Sequence, residues 1–195
     1  MVEVVTSRGV VRSSTDGWGV GLYSDDNVYR SWFLTPVNAA LRPGNQAEMH
    51  QDGLPHLGSH TLLWVGLNPS RSDDNGKNRT TLRSVLYWAE RAGLMSVLGV
   101  NLYAYRHTDP KEIRRGIGGH CLGHVIGEFN DGVLKHISRS AENTLLAWGS
   151  YGALGGRGAH VAGLFPQGRC IGTCANGEPF HPARKSRALL LRPYH

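Results

Sequence analysis

Three polar side chains in this sequence stand where they could take part in chemistry. Asn68 and Asn101 each follow or end an apolar run, and His181 lies in a Phe-His-Pro segment. A side-chain amide offers a donor and an acceptor side by side, so it can orient water or pair with a polar ring edge. A neutral imidazole can donate its N–H to negative charge developing on a departing group. Each residue also has a common structural use, as an Asx turn, a strand-end cap or a packing residue.

The elements that would position these residues alternate between strand and helix from residue 61 onward. This pattern predicts a mostly parallel α/β sheet with helices on both faces, in which ligands bind at the carboxyl ends of the strands. Residues 1–60 predict short strands and turns, with a surface loop at 41–59. The length of 195 residues fits one domain. Strands are predicted at Thr61–Gly66, Ser96–Asn101, 144–148 and 169–172, and helices at 80–92, 122–140 and 150–164.

The joint order of four segments carries a resemblance to a known family. The segments are Gly66-Leu67-Asn68-Pro69, Asn101, Trp148-Gly149-Ser150-Tyr151 and His181-Pro182. Over about residues 61–187 the chain resembles the uracil-DNA glycosylase superfamily, and within it a bacterial family of uncharacterised proteins with an Asn-Pro-Ser motif. Those relatives carry Asp-Pro-Thr where this chain has Asn78-Arg79-Thr80.

The resemblance implies an architecture. It is a three-layer α-β-α sandwich with a central, mostly parallel four-stranded sheet. Residues 1–60 would pack on the core of residues 61–195 as a β-rich extension, and the whole chain would be one domain.

The resemblance also implies two catalytic residues. Asn68 would position the attacking water, since an amide orients water better than it deprotonates it. His181 would donate to the oxygen of the leaving base and stabilise the anion as it forms.

Four further residues would line the excised base. Gly66, Leu67 and Ser70 belong to the first motif, and Asn101 would hydrogen-bond the edge of the flipped base. Strictly uracil-specific members carry a Tyr at the position of Ser70, and that ring blocks substituents at C5 of the pyrimidine. The smaller serine predicts a pocket that admits bases enlarged at C5, and the glycines between residues 149 and 158 are compatible with extra room.

The charge balance favours a polyanionic partner such as nucleic acid, and the resemblance implies that this partner is DNA. The chain has 21 Lys plus Arg against 15 Asp plus Glu, a net charge of +6 and a pI near 9.5. The predicted phosphate ligands are Arg71, Lys77, Arg79, Arg106 and Arg184. The aromatic candidates for stacking on the base are Trp32, Phe33, Tyr103 and Phe180.

Composition argues against several other classes of protein. The apolar runs are too short for a membrane span, and the amino terminus has no secretory leader, so a cytoplasmic protein is expected. The resemblance to glycosylases implies a monomer. The three cysteines do not suit a disulfide framework. A Cys/His zinc site can be drawn from Cys170, Cys174, His120, Cys121 and His124, but the spacings are not those of common zinc motifs. We expect no metal and no cofactor.

The resulting hypothesis is a monofunctional DNA glycosylase that flips out a modified pyrimidine and leaves an abasic site. The preferred substrate is a bulky C5-modified cytosine of phage DNA, such as glucosylated 5-hydroxymethylcytosine, and the role is anti-phage defence. The alternatives are a housekeeping uracil or mismatch repair glycosylase, a non-catalytic reader of modified bases, and a nucleoside hydrolase.

Overall fold

The apolar runs of the sequence form the strands and helices of a mixed α/β fold. The computed structural model describes residues 3–14, 18–38, 53–55, 57–71, 80–109, 111–119, 122–183 and 185–195. The strands are β1 (Glu3–Thr6), β2 (Gly9–Ser13), β3 (Val20–Tyr23), β4 (Arg30–Pro36), β5 (Thr61–Gly66), β6 (Ser96–Asn101), β7 (Asn143–Leu146), β8 (Arg169–Cys170) and β9 (Arg192–Pro193). The helices are α1 (Thr80–Arg91), α2 (Lys111–Gly119), α3 (Leu122–Ile126), α4 (Asn130–Ser138) and α5 (Arg157–Ala162), with a 3-10 segment at Ser150–Gly156. In the described ranges, no helix combines the length and the apolar composition that a membrane crossing requires.

All nine described strands belong to one sheet, in the order β1-β2-β3-β4-β6-β5-β7-β8-β9. β5 pairs in parallel with β6 and with β7, and β7 pairs in parallel with β8 through Leu145 and Arg169. The other neighbouring strands are antiparallel. The mixed α/β class is therefore confirmed, but the sheet is larger and more mixed than the expected four-stranded one.

The strand β4 joins the N-terminal strands to the rest of the sheet. It pairs with β6 from Phe33 opposite Gly99 to Pro36 opposite Ser96. Without β4, the strand β6 would present an edge of unpaired N–H and C=O groups. The N-terminal strands thus continue the sheet beyond β6.

Helices cover both faces of the sheet because successive side chains of β5 point to opposite sides. Leu63 lies in one core cluster with Leu134 of α4 and Val161 of α5. Leu62 lies in a second cluster with Val85 of α1. The sheet is therefore covered by helices on both faces.

Three helical predictions need correction, whereas β5 and β6 have the predicted bounds. The helix expected over 122–140 is split into α3 and α4, because Gly127 lies between them at φ +85°, which a helix cannot continue. The helix expected over 150–164 begins as the 3-10 segment and breaks at Leu154, where ψ is 124°. The helix α2 forms between β6 and α3, where no helix was predicted, with Ile113 fully buried.

We expect Trp32→Ala to lower the free energy of unfolding by about 3–5 kcal/mol. Trp32 is fully buried in β4, and its indole N–H donates to the carbonyl oxygen of Gly53 at 3.0 Å. All described helices lie in residues 80–162. The helical circular dichroism signal during urea unfolding therefore reports on the part of the chain outside the N-terminal strands. If the N-terminal strands and the core unfold together, the helical midpoint falls with the mutation. Trp32→Phe is the matched control with a smaller loss, and an unchanged helical midpoint for Trp32→Ala would contradict one cooperative unit.

Candidate functional site

The strands β5, β6 and β7 end at the same side of the sheet, which we call the carboxyl edge. Gly66 lies opposite Asn101 in the parallel ladder. Beyond the strands, Leu102 N–H donates to the Gly66 carbonyl at 2.9 Å, and Ala147 N–H donates to the Val65 carbonyl at 2.9 Å. The loops that begin at residues 67, 102 and 147 therefore leave the sheet side by side.

Asn68 is held by the loop that follows β6. Its Nδ2 donates to the carbonyl oxygen of His107 at 2.7 Å and lies 3.5 Å from that of Tyr105. The His107 N–H returns a hydrogen bond to the Pro69 carbonyl at 3.1 Å. Because carbonyl oxygens take the amide nitrogen, the orientation of the amide is determined. The Oδ1 atom accepts no hydrogen bond from any described residue and can serve as an acceptor for water.

His181 is held in a neutral form with its proton on Nε2. The Ala183 N–H donates to Nδ1 at 3.2 Å, so Nδ1 is the acceptor and Nε2 carries the hydrogen. Burial lowers the pKa of the His181 imidazole below its ordinary value. The ring therefore offers one N–H donor at neutral pH.

The loop that carries His181 is anchored to the segment that follows β7. Gly149 N–H donates to the Pro179 carbonyl at 2.8 Å. Gly149 has φ +79°, and a Cβ atom there would lie 3.0 Å from the Cβ of His181. Glycine is required at this position by both the backbone conformation and the close approach of the histidine.

A buried carboxylate makes a second anchor, and sequence reasoning assigned it no role. Glu178 is 8% exposed and accepts a hydrogen bond from the indole N–H of Trp148. Its negative charge also acts on Tyr103, whose pKa rises to about 12 because of burial, with Glu178 adding to the rise and Arg157 opposing it. A glutamate three residues before the histidine in Gly-Glu-Pro-Phe-His-Pro was the available signal.

Two of the glycines between residues 149 and 158, namely Gly152 and Gly158, pack against Trp148 and Glu178 and do not enlarge a pocket. A Cβ on Gly152 would lie 2.1 Å from the Trp148 ring, and one on Gly158 would lie 2.5 Å from the Glu178 carboxylate. These glycines make room for the buried Trp–Glu pair.

Asn101 lines a small cavity together with Arg30, Phe33, Trp64 and Leu82. The cavity holds about 10 Å³, enough for about one water molecule. Trp64 Nε1 is buried beside it and donates to no described residue. The predicted hydrogen bond of Asn101 to the edge of a flipped base stays a prediction.

The other residues expected to line the base, Gly66, Leu67 and Ser70, differ in how far they are exposed. The Leu67 side chain is 5% exposed and belongs to the core, so only its backbone faces the carboxyl edge. Gly66 is buried, with its carbonyl already bonded to Leu102 N–H. Ser70 is partly exposed beyond Pro69. Ser70 is therefore the one of these three with an accessible side chain.

Of the five basic residues expected to bind phosphate, two lie within the described residues. Arg71 is exposed and its Nε donates to the Arg106 carbonyl at 3.1 Å. Arg106 itself is 2% exposed, and its guanidinium donates to the carbonyl oxygen of Asn27 at 2.9 Å. We therefore remove Arg106 from the DNA-facing set, because it supports the turn at Asn27 from inside. Lys77, Arg79 and Arg184 lie outside the described residues.

The aromatic candidates for stacking are mostly internal. Trp32, Phe33 and Tyr103 are at most 4% exposed and belong to the core. Phe180 is partly exposed, and the Lys185 ammonium lies 3.6 Å above its ring. Sequence reasoning missed a set of accessible rings next to Asn68, namely Tyr29, Tyr105, His107 and His124.

The zinc site drawn from the sequence lies only partly within the described residues. His120 and Cys121 lie outside the described residues, while Cys170 is buried and Cys174 is partly exposed. Among the described residues, no three His, Cys, Asp or Glu side chains group in a way that could hold a metal ion.

Comparison with known proteins gives one match. A family model described as "Protein of unknown function (DUF1643)" matches residues 55–183, which is more than half of the chain. No curated protein and no solved structure matches. The matched range contains β5 to β8, Asn68, Asn101 and His181. The chain belongs to the DUF1643 family.

Proposed function

We propose that this protein is a monofunctional DNA glycosylase that excises a modified pyrimidine by hydrolysis and leaves an abasic site. One observation carries the proposal. Asn68 and His181 both lie in loops at the carboxyl edge, and their hydrogen-bonding states are fixed and complementary. Asn68 presents an acceptor, and His181 presents a single N–H donor.

The chemistry of glycosidic cleavage uses one group of each kind. As the N-glycosidic bond breaks, positive charge develops on the sugar and negative charge on the departing base. The Nε2–H of His181 stabilises the base anion, and Asn68 Oδ1 orients the water whose oxygen forms the new bond to C1′. The proton that water releases goes to solvent or to the departing base, since an amide is a poor base.

The proposed fold relationship rests on the resemblance and on the order of the central strands. We assign β6-β5-β7-β8 and the helices on both faces to the three-layer arrangement of the uracil-DNA glycosylase superfamily. The parallel pairing of β5 with β6 and β7 is compatible with this assignment.

The proposed substrate is a C5-modified cytosine in DNA, such as glucosylated 5-hydroxymethylcytosine of phage DNA, with a role in defence. Its support is the small, partly exposed Ser70 beside Asn68. Arg71 is positioned to contact a phosphate near the flipped nucleotide.

A non-catalytic reader of modified bases is the second candidate. It is favoured by the way Asn68 is used, since its Nδ2 supports backbone carbonyls as a structural asparagine does. A reader would bind the modified base but would not release it.

Base release distinguishes these two functions. We expect Asn68→Ala and His181→Ala each to slow release about 100-fold, since each removes a group that acts on the transition state. The measurement is alkaline cleavage at abasic sites in DNA carrying cytosine, uracil, 5-hydroxymethylcytosine or its glucosylated form. Asn143→Ala, at the start of β7, and His160→Ala, exposed on α5, are matched controls that should retain full activity. Tight binding without release from any substrate would favour the reader.

The size of residue 70 should decide which base is accepted. We expect Ser70→Tyr to abolish release of the glucosylated base and to spare any release of uracil that wild type shows, because the phenol ring fills the space next to C5. Ser70→Ala, which removes the hydroxyl without adding volume, is the control. Equal loss on both bases would argue against a steric role for position 70.

The protonation of His181 should set the acid limit of activity and stability. Its pKa is lowered by burial, so the ring stays neutral through the ordinary histidine pKa of about 6.5. Below the lowered pKa, a proton on Nδ1 would face the Ala183 N–H and break the bond that holds the ring.

We therefore expect base release to be constant down to about pH 6.5 and to decline only at more acid pH. The stabilisation from burying the neutral ring is complete above the unfolded pKa and is lost as pH falls through the folded pKa. Rate against pH, and melting temperature against pH for wild type and His181→Gln, would measure both. A decline centred above pH 6.5 would contradict a lowered pKa.

A further inference from the structure

Four accessible rings form a continuous cluster beside Asn68, which we call the aromatic ladder: Tyr29, Tyr105, His107 and His124. Tyr105 and His107 are parallel to within 1°, with centroids 6.2 Å apart. Tyr29 meets Tyr105 edge-on at 6.1 Å, and its hydroxyl lies 3.2 Å from His124 Nδ1. None of the four is buried and His124 is exposed, unlike the core aromatics Trp32, Phe33 and Tyr103.

Backbone hydrogen bonds fix the ladder to the loop that carries Asn68. The carbonyl of His107 accepts from Asn68 Nδ2 at 2.7 Å, and the His107 N–H donates to Pro69 at 3.1 Å. On the other side, Tyr29 and Tyr105 pair in an isolated bridge between the start of β4 and the loop after β6. The rings therefore hold a set position relative to the residue proposed to orient water.

Charge differs on the two sides of the ladder. Arg71 is exposed, and its Nε donates to the carbonyl of Arg106, which lies between Tyr105 and His107 in the chain. On the far side of Tyr29 lies a groove of about 570 Å³ whose lining includes three carboxylates, Asp25, Asp26 and Glu128, with Arg8 as the cation among the described lining residues. A polyanion would be attracted along the Arg71 side and repelled by the groove.

We propose that the aromatic ladder is a stacking platform for unpaired bases of DNA that flank the flipped nucleotide. This inference rests on the proposed function, because it takes DNA as the partner. Bases stack on aromatic and imidazole rings regardless of sequence, and a basic flank holds the backbone beside them. Stacking is open only to unpaired bases, so the ladder confers a preference for single-stranded or locally opened DNA over a fully paired duplex.

The test is binding of a fluorescently labelled oligonucleotide, alone and as a paired duplex of the same sequence, measured by anisotropy with the full chain. We expect Tyr105→Leu to weaken single-strand binding about 5- to 100-fold and duplex binding less than about 2-fold. Tyr105→Phe retains the ring and should bind as wild type does. Phe129→Leu is the matched control, since Phe129 is 37% exposed in the lining of the acidic groove.

Two further variants keep the test decisive. His124→Leu removes an exposed ring and should fold normally even if Tyr105→Leu does not. Its loss of affinity should be confined to single-stranded DNA. Arg71→Gln should reduce the slope of log affinity against log salt concentration by about one on both DNAs, because it removes about one phosphate contact. The ring variants should leave this slope unchanged.

The outcomes separate the platform from the glycosylase. If wild type releases a base, and Tyr105→Leu and His124→Leu bind single strands as well as wild type does, the platform is overturned but the glycosylase is not. Ring-dependent single-strand binding without release of any base supports the platform and overturns the glycosylase. Failure of wild type to bind either DNA overturns both.

Discussion

The parallel pairing of β5 with β6 is the constraint on which the candidate site depends. It sets Gly66 opposite Asn101 and brings the two loops beyond them into hydrogen-bonding contact. A slip of one residue would turn every side chain of a strand to the other face. The pairing of β4 along the other side of β6 completes the hydrogen bonding of that strand, so the N-terminal strands support the site even though they lie far from it in sequence.

Beyond the strands, the site is organised by side chains that bond to backbone. Asn68 is bonded to the carbonyl of His107, His181 Nδ1 to the N–H of Ala183, and Trp148 to the buried Glu178. Each bond determines the orientation of an amide, a tautomer or a loop, and the bonds of Asn68 and His181 use neither Asn68 Oδ1 nor His181 Nε2. In the proposed glycosylase, donors and acceptors fixed in this way before a substrate binds would lower the barrier most.

The basic composition of the chain does not translate directly into a DNA-binding surface. Arg106 and Arg157 are both buried, one holding the turn at Asn27 and the other donating to the carbonyl of Leu102. Arg71, in contrast, is exposed next to the accessible rings. The arrangement of charge around the accessible rings, with Arg71 near Tyr105 and His107 and the acidic groove at Tyr29, is therefore more informative than the net charge of +6.

The sequence by itself determined the mixed α/β class, the bounds of β5 and β6, and the position of Asn68 and Asn101 at strand ends, because these depend on local apolar runs and turn residues. Tertiary structure decided the rest. The partner of β6, the break at Gly127 and the burial of Arg106 all result from contacts between distant segments, which a local pattern does not encode. The tautomer of His181 and the cavity at Asn101 likewise depend on which groups the fold brings next to them.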